Sequence, residues 1–320
     1  MVVRERVLFI TTKNLDYLRN TQEINLLKKQ GKEVLILGSY DRSYIKRLCY
    51  VYWKLLLLSR KKFDFVFVGF APQLIVPFFF WKFRGKRLGI DFFISLYDTM
   101  IWDRKKWKDG SFFAKLFWKL DKNTIQKADV VIADTKAHGE YFVKEFGLSE
   151  EKLKVLYLEA NTKIYKKRKK EKKKEWQDKF IVLYFGSILP LQGVDIVLKS
   201  AQILKEKKDI QFVIIGPVKE KIESESILYI SWVEQEELAD WIAMADLCLA
   251  GHFNKEIEKA KRTIPGKAYI YHAMGKKMIL GENLANHELF EEEQEGIYFV
   301  EMGNPQKLAE KVMEVKGEEK

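Results

Sequence analysis

One alternation constrains the fold more than any other feature. Short apolar runs end on a glycine or a small polar residue, and each leads into a stretch with helical periodicity. Residues 7–10 end at Thr11-Thr12-Lys13 and lead into a helical pattern over 15–30, stopped by Gly31. Residues 33–37 end at Gly38-Ser39 and residues 63–68 at Gly69. Residues 87–94 form a fourth run, broken by Asp91. Residues 130–133 end at Asp134-Thr135, and 152–158 make a sixth run. Helical patterns fall between them over 44–58, 73–83, 112–127 and on to Phe146. A strand that is apolar without alternation is buried on both faces, which requires a parallel sheet with helices on either side. Such sheets take their ligands at the carboxyl ends of the strands.

The pattern breaks at residues 163–174, KIYKKRKKEKKK, where nine of twelve side chains are cationic. A like-charge run this dense reads as a solvated connector. The alternation then restarts with runs at 180–185, 211–215, 228–230, 246–250 and 296–300, and with helical patterns over 194–207, 235–243 and 305–315. The expected organisation is α/β: two Rossmann-like, doubly wound domains facing each other across a cleft, over 1–162 and 179–320, joined by a basic linker over 163–178.

The formal net charge is +12, which favours an anionic partner such as a nucleotide, a lipid surface or a nucleic acid. Cys49 and Cys248 lie in apolar runs and read as buried thiols, consistent with a reducing cytoplasm. No apolar run approaches the roughly 18 residues needed to span a bilayer, and the N-terminus has no secretory pattern. The expected location is cytoplasmic, with peripheral contact at an anionic membrane face.

The chemistry concentrates in residues 251–290. A strand feeds a loop carrying Lys255, Lys259, Lys261 and Arg262, and Ile264-Pro265-Gly266-Lys267 opens a helix that stops at Gly275. Cationic side chains and free N–H groups at a helix start beyond a strand suit a phosphate. Arg262 offers a planar fork and Lys267 a point charge; the other three lysines read as a solvated face. Gly186 and Gly193 bracket a second strand-to-helix turn, where glycine permits close backbone approach to a diphosphate.

These residues carry a resemblance. Tyr184-Phe185-Gly186-Ser187-Ile188-Leu189-Pro190-Leu191-Gln192-Gly193-Val194-Asp195 is similar to the start of the donor domain in GT-B glycosyltransferases of the family-4 branch. Arg262 to Lys267, Ala273-Met274-Gly275-Lys276 and Glu288-Leu289-Phe290 resemble its donor block. The resemblance implies a nucleotide-diphospho-sugar as donor substrate and no cofactor; His252, His272 and His287 have no partner at metal-ligand spacing and there is no DxD or HExxH pattern, so no obligatory metal is expected. It implies transfer with retention to a glycan or lipid-linked hydroxyl, in cell-envelope polysaccharide assembly. It places the donor at Gly186, Ser187, Gln192, Gly193, Trp232, Val233, Arg262, Pro265, Lys267 and Glu288. Trp232 would otherwise be core, and Glu288 a helix cap. On the acceptor side it implies Tyr97, Asp98, Arg104 and His138. A carboxylate at Asp98, or at Asp91 in the same strand pattern, could orient the hydroxyl or take its proton; the alternative is that Asp98 pairs with Arg104. The expected catalytic set is Asp98, Arg262 and Lys267. The chain departs from the family where a ribose-binding glutamate becomes Ile270, a loop lysine Gln192 and an arginine Ser187.

For His138, Asp134 or Thr135 reads as the N-cap of the following helix. Phe78 to Phe80 read as core, whereas Lys46, Arg47, Trp53, Lys82 and Arg84 fit a membrane face. Two rival readings remain open. One is a degenerate, non-catalytic subunit that binds nucleotide sugar or a partner; the other is a nucleic-acid-binding protein, set against the expectation of no nucleic-acid partner. The non-hydrolysing sugar-nucleotide epimerases share the fold, but their paired histidines and carboxylates are missing.

Overall fold

A computed structural model describes residues 5–291 and 294–318. Residues 1–4, part of the N-terminal stretch read above, lie outside the described residues. The chain divides into two compact units, residues 1–159 and 160–320.

The first unit runs β1 (Arg6–Thr11), α1 (Leu18–Lys29), β2 (Glu33–Leu37), α2 (Tyr44–Leu57), β3 (Phe65–Phe70), α3 (Val76–Phe83), β4 (Arg87–Asp91), α4 (Phe112–Lys127), β5 (Val130–Ala133), α5 (Lys136–Phe146) and β6 (Leu153–Val155). The strands form one sheet in the order β2-β1-β3-β4-β5-β6, every pair parallel. Central β1 and β3 are buried on both faces, as their unbroken apolar runs require. Helix starts are set by hydroxyl caps: Ser43, Ser111 and Thr135 accept from the N–H groups of Lys46, Ala114 and His138. Thr135, not Asp134, is therefore the cap before His138.

Several local expectations change. The helix expected over 73–83 is split, because Pro72–Leu74 makes a separate 3-10 turn before α3. Cys49 is exposed, since it lies on the outer stripe of α2; Cys248 is buried. Phe79 is buried, but Phe78 is 55% exposed. Arg47 and Lys82 are not surface charges. Arg47 donates to the Thr12 carbonyl, and Lys82 donates to the Leu56 and Leu58 carbonyls at 2.7 and 2.8 Å. Lys82 satisfies carbonyls at the end of α2, and Arg47 satisfies loop carbonyls after β1 and before α2, roles that periodicity cannot reveal.

The second unit runs β7 (Phe180–Phe185), α6 (Val194–Ile203), β8 (Ile210–Ile215), β9 (Ile227–Ile230), α7 (Gln235–Met244), β10 (Leu247–Gly251), α8 (Glu258–Arg262), α9 (Gly266–Ala273), β11 (Met278–Gly281), β12 (Ile297–Val300) and α10 (Pro305–Gly317). Its sheet is also parallel throughout, in the order β12-β11-β10-β7-β8-β9. Leu308, Val312 and Val315 of α10 share one core with Val197, Ala201 and Leu204.

The basic run packs along this second unit. Arg168 and Lys170 reach Asp240 at 3.0 and 2.9 Å, and Lys172 reaches Asp246 at 2.6 Å. Asp246 also accepts from the Ile181 N–H at the start of β7. Trp176 is buried against Trp241. The residues expected as a linker, 163–178, fall within the second compact unit, because α7 and the β10 entrance offer carboxylates to the cations.

Candidate donor-binding site

In the second sheet, β7 lies between β8 and β10. The chain leaves β7 toward β8, and β10 arrives on the other side, so the winding reverses between β7 and β10. A crevice opens at such a switch point beyond the strand carboxyl ends. The 186–193 loop, the loop after β10 and the start of α9 all meet there.

The two loops are fastened together. Phe253 N–H donates to the Gln192 carbonyl at 3.2 Å, and the Asn254 amide donates to the Pro190 carbonyl at 2.9 Å. Gly193 has φ of 67°, and a Cβ there would lie 2.8 Å from the Asn254 nitrogen, so only glycine lets the loops close. His252, buried behind them, makes a hydrogen bond from Nδ1 with the Thr263 carbonyl at 3.1 Å. That bond holds the chain just before Ile264-Pro265, which set the entry into α9.

Lys267 sits in the first turn of α9, and its side chain is buried. Its Nζ donates to Gln192 Oε1 and lies 4.3 Å from the centre of the Tyr184 ring. It makes no ion pair with a carboxylate among the described residues. Burial alone lowers its pKa to about 7. Burial likewise pushes the Tyr184 hydroxyl upward, so the phenol stays neutral beneath the amine. Gly251, with φ of 80°, makes room for the pair: a Cβ there would stand 3.1 Å from Gln192 Oε1 and 3.4 Å from Lys267 Nζ. A buried ammonium without a counter-charge, beside a helix N-terminus, is an incomplete electrostatic arrangement that an anion completes.

Contact thus joins Lys267 and Gln192 with Gly186, Gly193 and Gly251. Pro265 is buried as the N-cap residue of α9. Arg262 ends α8 half-buried, three residues earlier, and Ser187 is exposed on the 186–193 loop. Trp232 is 68% exposed beyond edge strand β9, which removes the core reading; Val233 beside it is half-buried. Glu288 closes a 3-10 turn, Asn286–Glu288, instead of capping the start of a helix. Ile270 is half-buried on α9. Tyr184, Gly251 and His252 were not singled out in the sequence. Their roles depend on which strand ends are neighbours.

In the first unit, Asp98 opens a π-helical turn, Asp98–Asp103, and is fully buried. Its N–H donates to Ser95 Oγ at 3.0 Å. The turn hangs on Asp121, whose carboxylate accepts from Ser95 Oγ, Tyr97 N–H and Gln73 Nε2 at 2.7 to 2.8 Å. Burial raises Asp121 to about 6 against those hydrogen bonds. Tyr97 donates its hydroxyl to Asp109 at 2.9 Å, and burial together with that bond pushes it up to about 12. Arg104 is exposed on the loop that follows. His138 is buried on α5, with Nδ1 2.6 Å from Asp134 Oδ1. Asp91 is not available to an acceptor: Arg19 holds it with two bonds of 2.7 and 3.0 Å.

Comparison with known proteins agrees with this topology. Residues 179–316 match the family described as glycosyl transferases group 1. The similarity to that family lies in the second unit and covers less than half of the chain. The fold of the chain is that of the GT-B glycosyltransferases, two Rossmann-like domains. Sucrose-phosphate synthase from Thermosynechococcus elongatus superposes with a TM-score of 0.71 at 11% identity, over 98% of this chain and 90% of that one. Anabaena HepE in complex with UDP gives 0.65 at 14% identity, over 98% and 91%. An uncharacterised 41.2 kDa protein in the cps region of Klebsiella pneumoniae is 26% identical over 234 residues, 70% of this chain. The match spans 61% of that protein's length. The matched span begins one residue before β7 and contains the Gly186–Gly193 turn and Lys267.

Proposed function

We propose that this protein transfers a sugar from a nucleotide-diphospho-sugar to a hydroxyl of a glycan or lipid-linked acceptor. The observation that carries the reading is the buried Lys267 amine at the switch point of the second sheet, held by Gln192 and without a carboxylate partner among the described residues. Anabaena HepE has been solved with UDP-glucose, which supports the donor class. The cps-region relative supports polysaccharide assembly at the cell envelope as the setting.

Lys267 and the N–H groups opening α9 receive the diphosphate, and Arg262 adds charge from the end of α8. In transfer with retention, the acceptor oxygen bonds the anomeric carbon on the face from which the diphosphate oxygen departs. The hydroxyl proton passes to that leaving oxygen. The protein supplies position and charge, so the ammonium does the neutralising work and no metal ion is required.

The non-catalytic reading retains one observation: Ile270 has no group that can hold a ribose hydroxyl. The nucleic-acid reading has lost ground, since Arg168, Lys170 and Lys172 are committed to Asp240 and Asp246.

The test is a thermal-shift panel of UDP-, GDP-, ADP- and dTDP-sugars, followed by calorimetry on the best ligand. One nucleotide series is expected to raise the melting midpoint. Lys267→Met and Arg262→Ala should each weaken its binding about tenfold or more, the worth of a charge-assisted contact. Unchanged affinity in both variants would remove the assignment. Tight binding without transfer to any acceptor would favour the non-catalytic reading.

A further inference from the structure

Helices α2 and α3 present an outward face that the first unit's core does not use. On α2, Ile45, Trp53, Leu56 and Leu57 are each more than half exposed, and so are Phe78 and Trp81 on α3. The inward stripe of α2, Val51 and Leu55, is already buried in the core, so the helix is apolar on two opposite sides. The faces of the two helices are joined. Tyr52 packs on Phe79 and Phe78, with ring centres 4.9 and 6.2 Å apart. Lys82 ties α3 to the end of α2 through the Leu56 and Leu58 carbonyls. The tips therefore form one contiguous patch rather than scattered exposed residues.

The charge around it has one sign. Between residues 43 and 90 the sequence holds ten Lys and Arg and a single carboxylate, Asp64. Asp64 is already paired with Arg6 at 3.1 Å. Arg60, Lys61 and Lys62 form an exposed 3-10 turn just beyond α2. The Arg60 guanidinium donates to the Arg84 carbonyl, which brings the ends of α2 and α3 together. Lys54 lies over the exposed Tyr50 ring at 5.6 Å.

We infer that the α2–α3 face docks on an anionic lipid surface, with Trp53, Leu57, Phe78 and Trp81 entering the headgroup boundary and Lys61 and Lys62 meeting the lipid charge. Tryptophan beside aliphatic tips, rimmed by many more lysines and arginines than carboxylates (Asp64, held by Arg6, and Asp41, which accepts from the Ser43 N–H), matches the polarity profile of that boundary. A protein partner would instead favour interspersed charges of both signs. No helix among the described residues is long and apolar enough to cross a membrane, so the contact is one of lying on the surface. This inference goes beyond the sugar-transfer reading and does not rest on it.

The experiment is co-sedimentation of the full chain with phosphatidylcholine vesicles, with and without about 30% phosphatidylglycerol, in the absence of any nucleotide sugar. Wild-type protein should partition onto the anionic vesicles at least about tenfold more strongly than onto neutral ones. Trp53→Ser with Trp81→Ser, and separately Lys61→Glu with Lys62→Glu, should each cut partitioning about tenfold with the melting midpoint unchanged. Lys166→Glu with Lys169→Glu, on the second unit's basic run, should leave it intact. Equal loss from that control pair would overturn the inference, as would equal binding to neutral vesicles. A dimer in sedimentation equilibrium that Trp53→Ser/Trp81→Ser dissolves would assign the face to a second copy and refute the lipid.

Discussion

If Lys267 is the phosphate anchor, donor affinity must depend on pH in one direction. Burial lowers the free amine to about 7. A diphosphate stabilises the ammonium, so the complex holds a proton that the free protein has begun to lose. Affinity is full below the free pKa and falls as pH rises through it. From about pH 7 to about pH 9 the charged fraction of the free amine drops about 50-fold, equivalent to about 2.3 kcal/mol of binding. Calorimetry across that range should show this weakening, with proton uptake approaching one per ligand when two buffers of different ionisation enthalpy are compared. A nucleotide sugar is the right probe, because its diphosphate stays fully ionised throughout. The folded amine also lies below its unfolded value of about 10.4, so between those pKa values the unfolded chain binds the extra proton and stability rises with pH by about 1.4 kcal/mol per unit. Below about 7 the full burial cost is present. Lys267→Met should therefore raise the melting midpoint of the free protein near neutrality while it loses the donor, a gain that shrinks toward alkaline pH. Affinity independent of pH, with no proton uptake and no stabilisation in Lys267→Met, would refute the argument.

Two further outcomes follow from the geometry. Asp91→Ala removes the two-bond partner of buried Arg19 and leaves it only Glu23 at 3.7 Å and the Leu156 carbonyl; it should cost about 3–5 kcal/mol in urea unfolding, whereas Asp91→Leu combined with Arg19→Met should cost much less, and equal costs would show that the pair is not coupled. Gly251→Ala forces a left-handed backbone on alanine and crowds Gln192 against Lys267; it should lower stability by about 1–2 kcal/mol and weaken donor binding by more than that, and intact binding would separate Gly251 from the site.

The alternation of apolar runs and helical stretches was sufficient for the parallel sheets, because a strand buried on both faces has no polar position to hide. Glycine and hydroxyl punctuation placed the helix starts at Thr135 and Gly193 for the same local reason. The Gly186–Gly193 turn and Lys267 were also legible, since a loop glycine and a helix-start cation are written at single positions. What the chain order could not show was which cations have partners. Lys82 and Arg47 read as surface charge, but Lys82 caps the last carbonyls of α2 and Arg47 donates to loop carbonyls at Thr12, Asp41 and Arg42. Arg168, Lys170 and Lys172 read as a free linker but lie on Asp240 and Asp246, seventy or more positions away. Asp91 read as a carboxylate open to substrate but belongs to Arg19.

The opposite happened at Lys267. In sequence it is a cation at a helix start, with nothing to show whether it is buried or paired. Folding places β10 beside β7, so Gln192, Tyr184 and Gly251 close around its amine and remove it from water without a counter-ion. The sequence by itself determined the parallel sheets, several helix starts and the positions of the Gly186–Gly193 turn and of Lys267, because these follow from periodicity and local backbone chemistry. Only the tertiary structure decided which of these cations meet a carboxylate and that Lys267 is buried against Gln192 and Tyr184, because that depends on groups far apart in the chain meeting in a medium of low polarity.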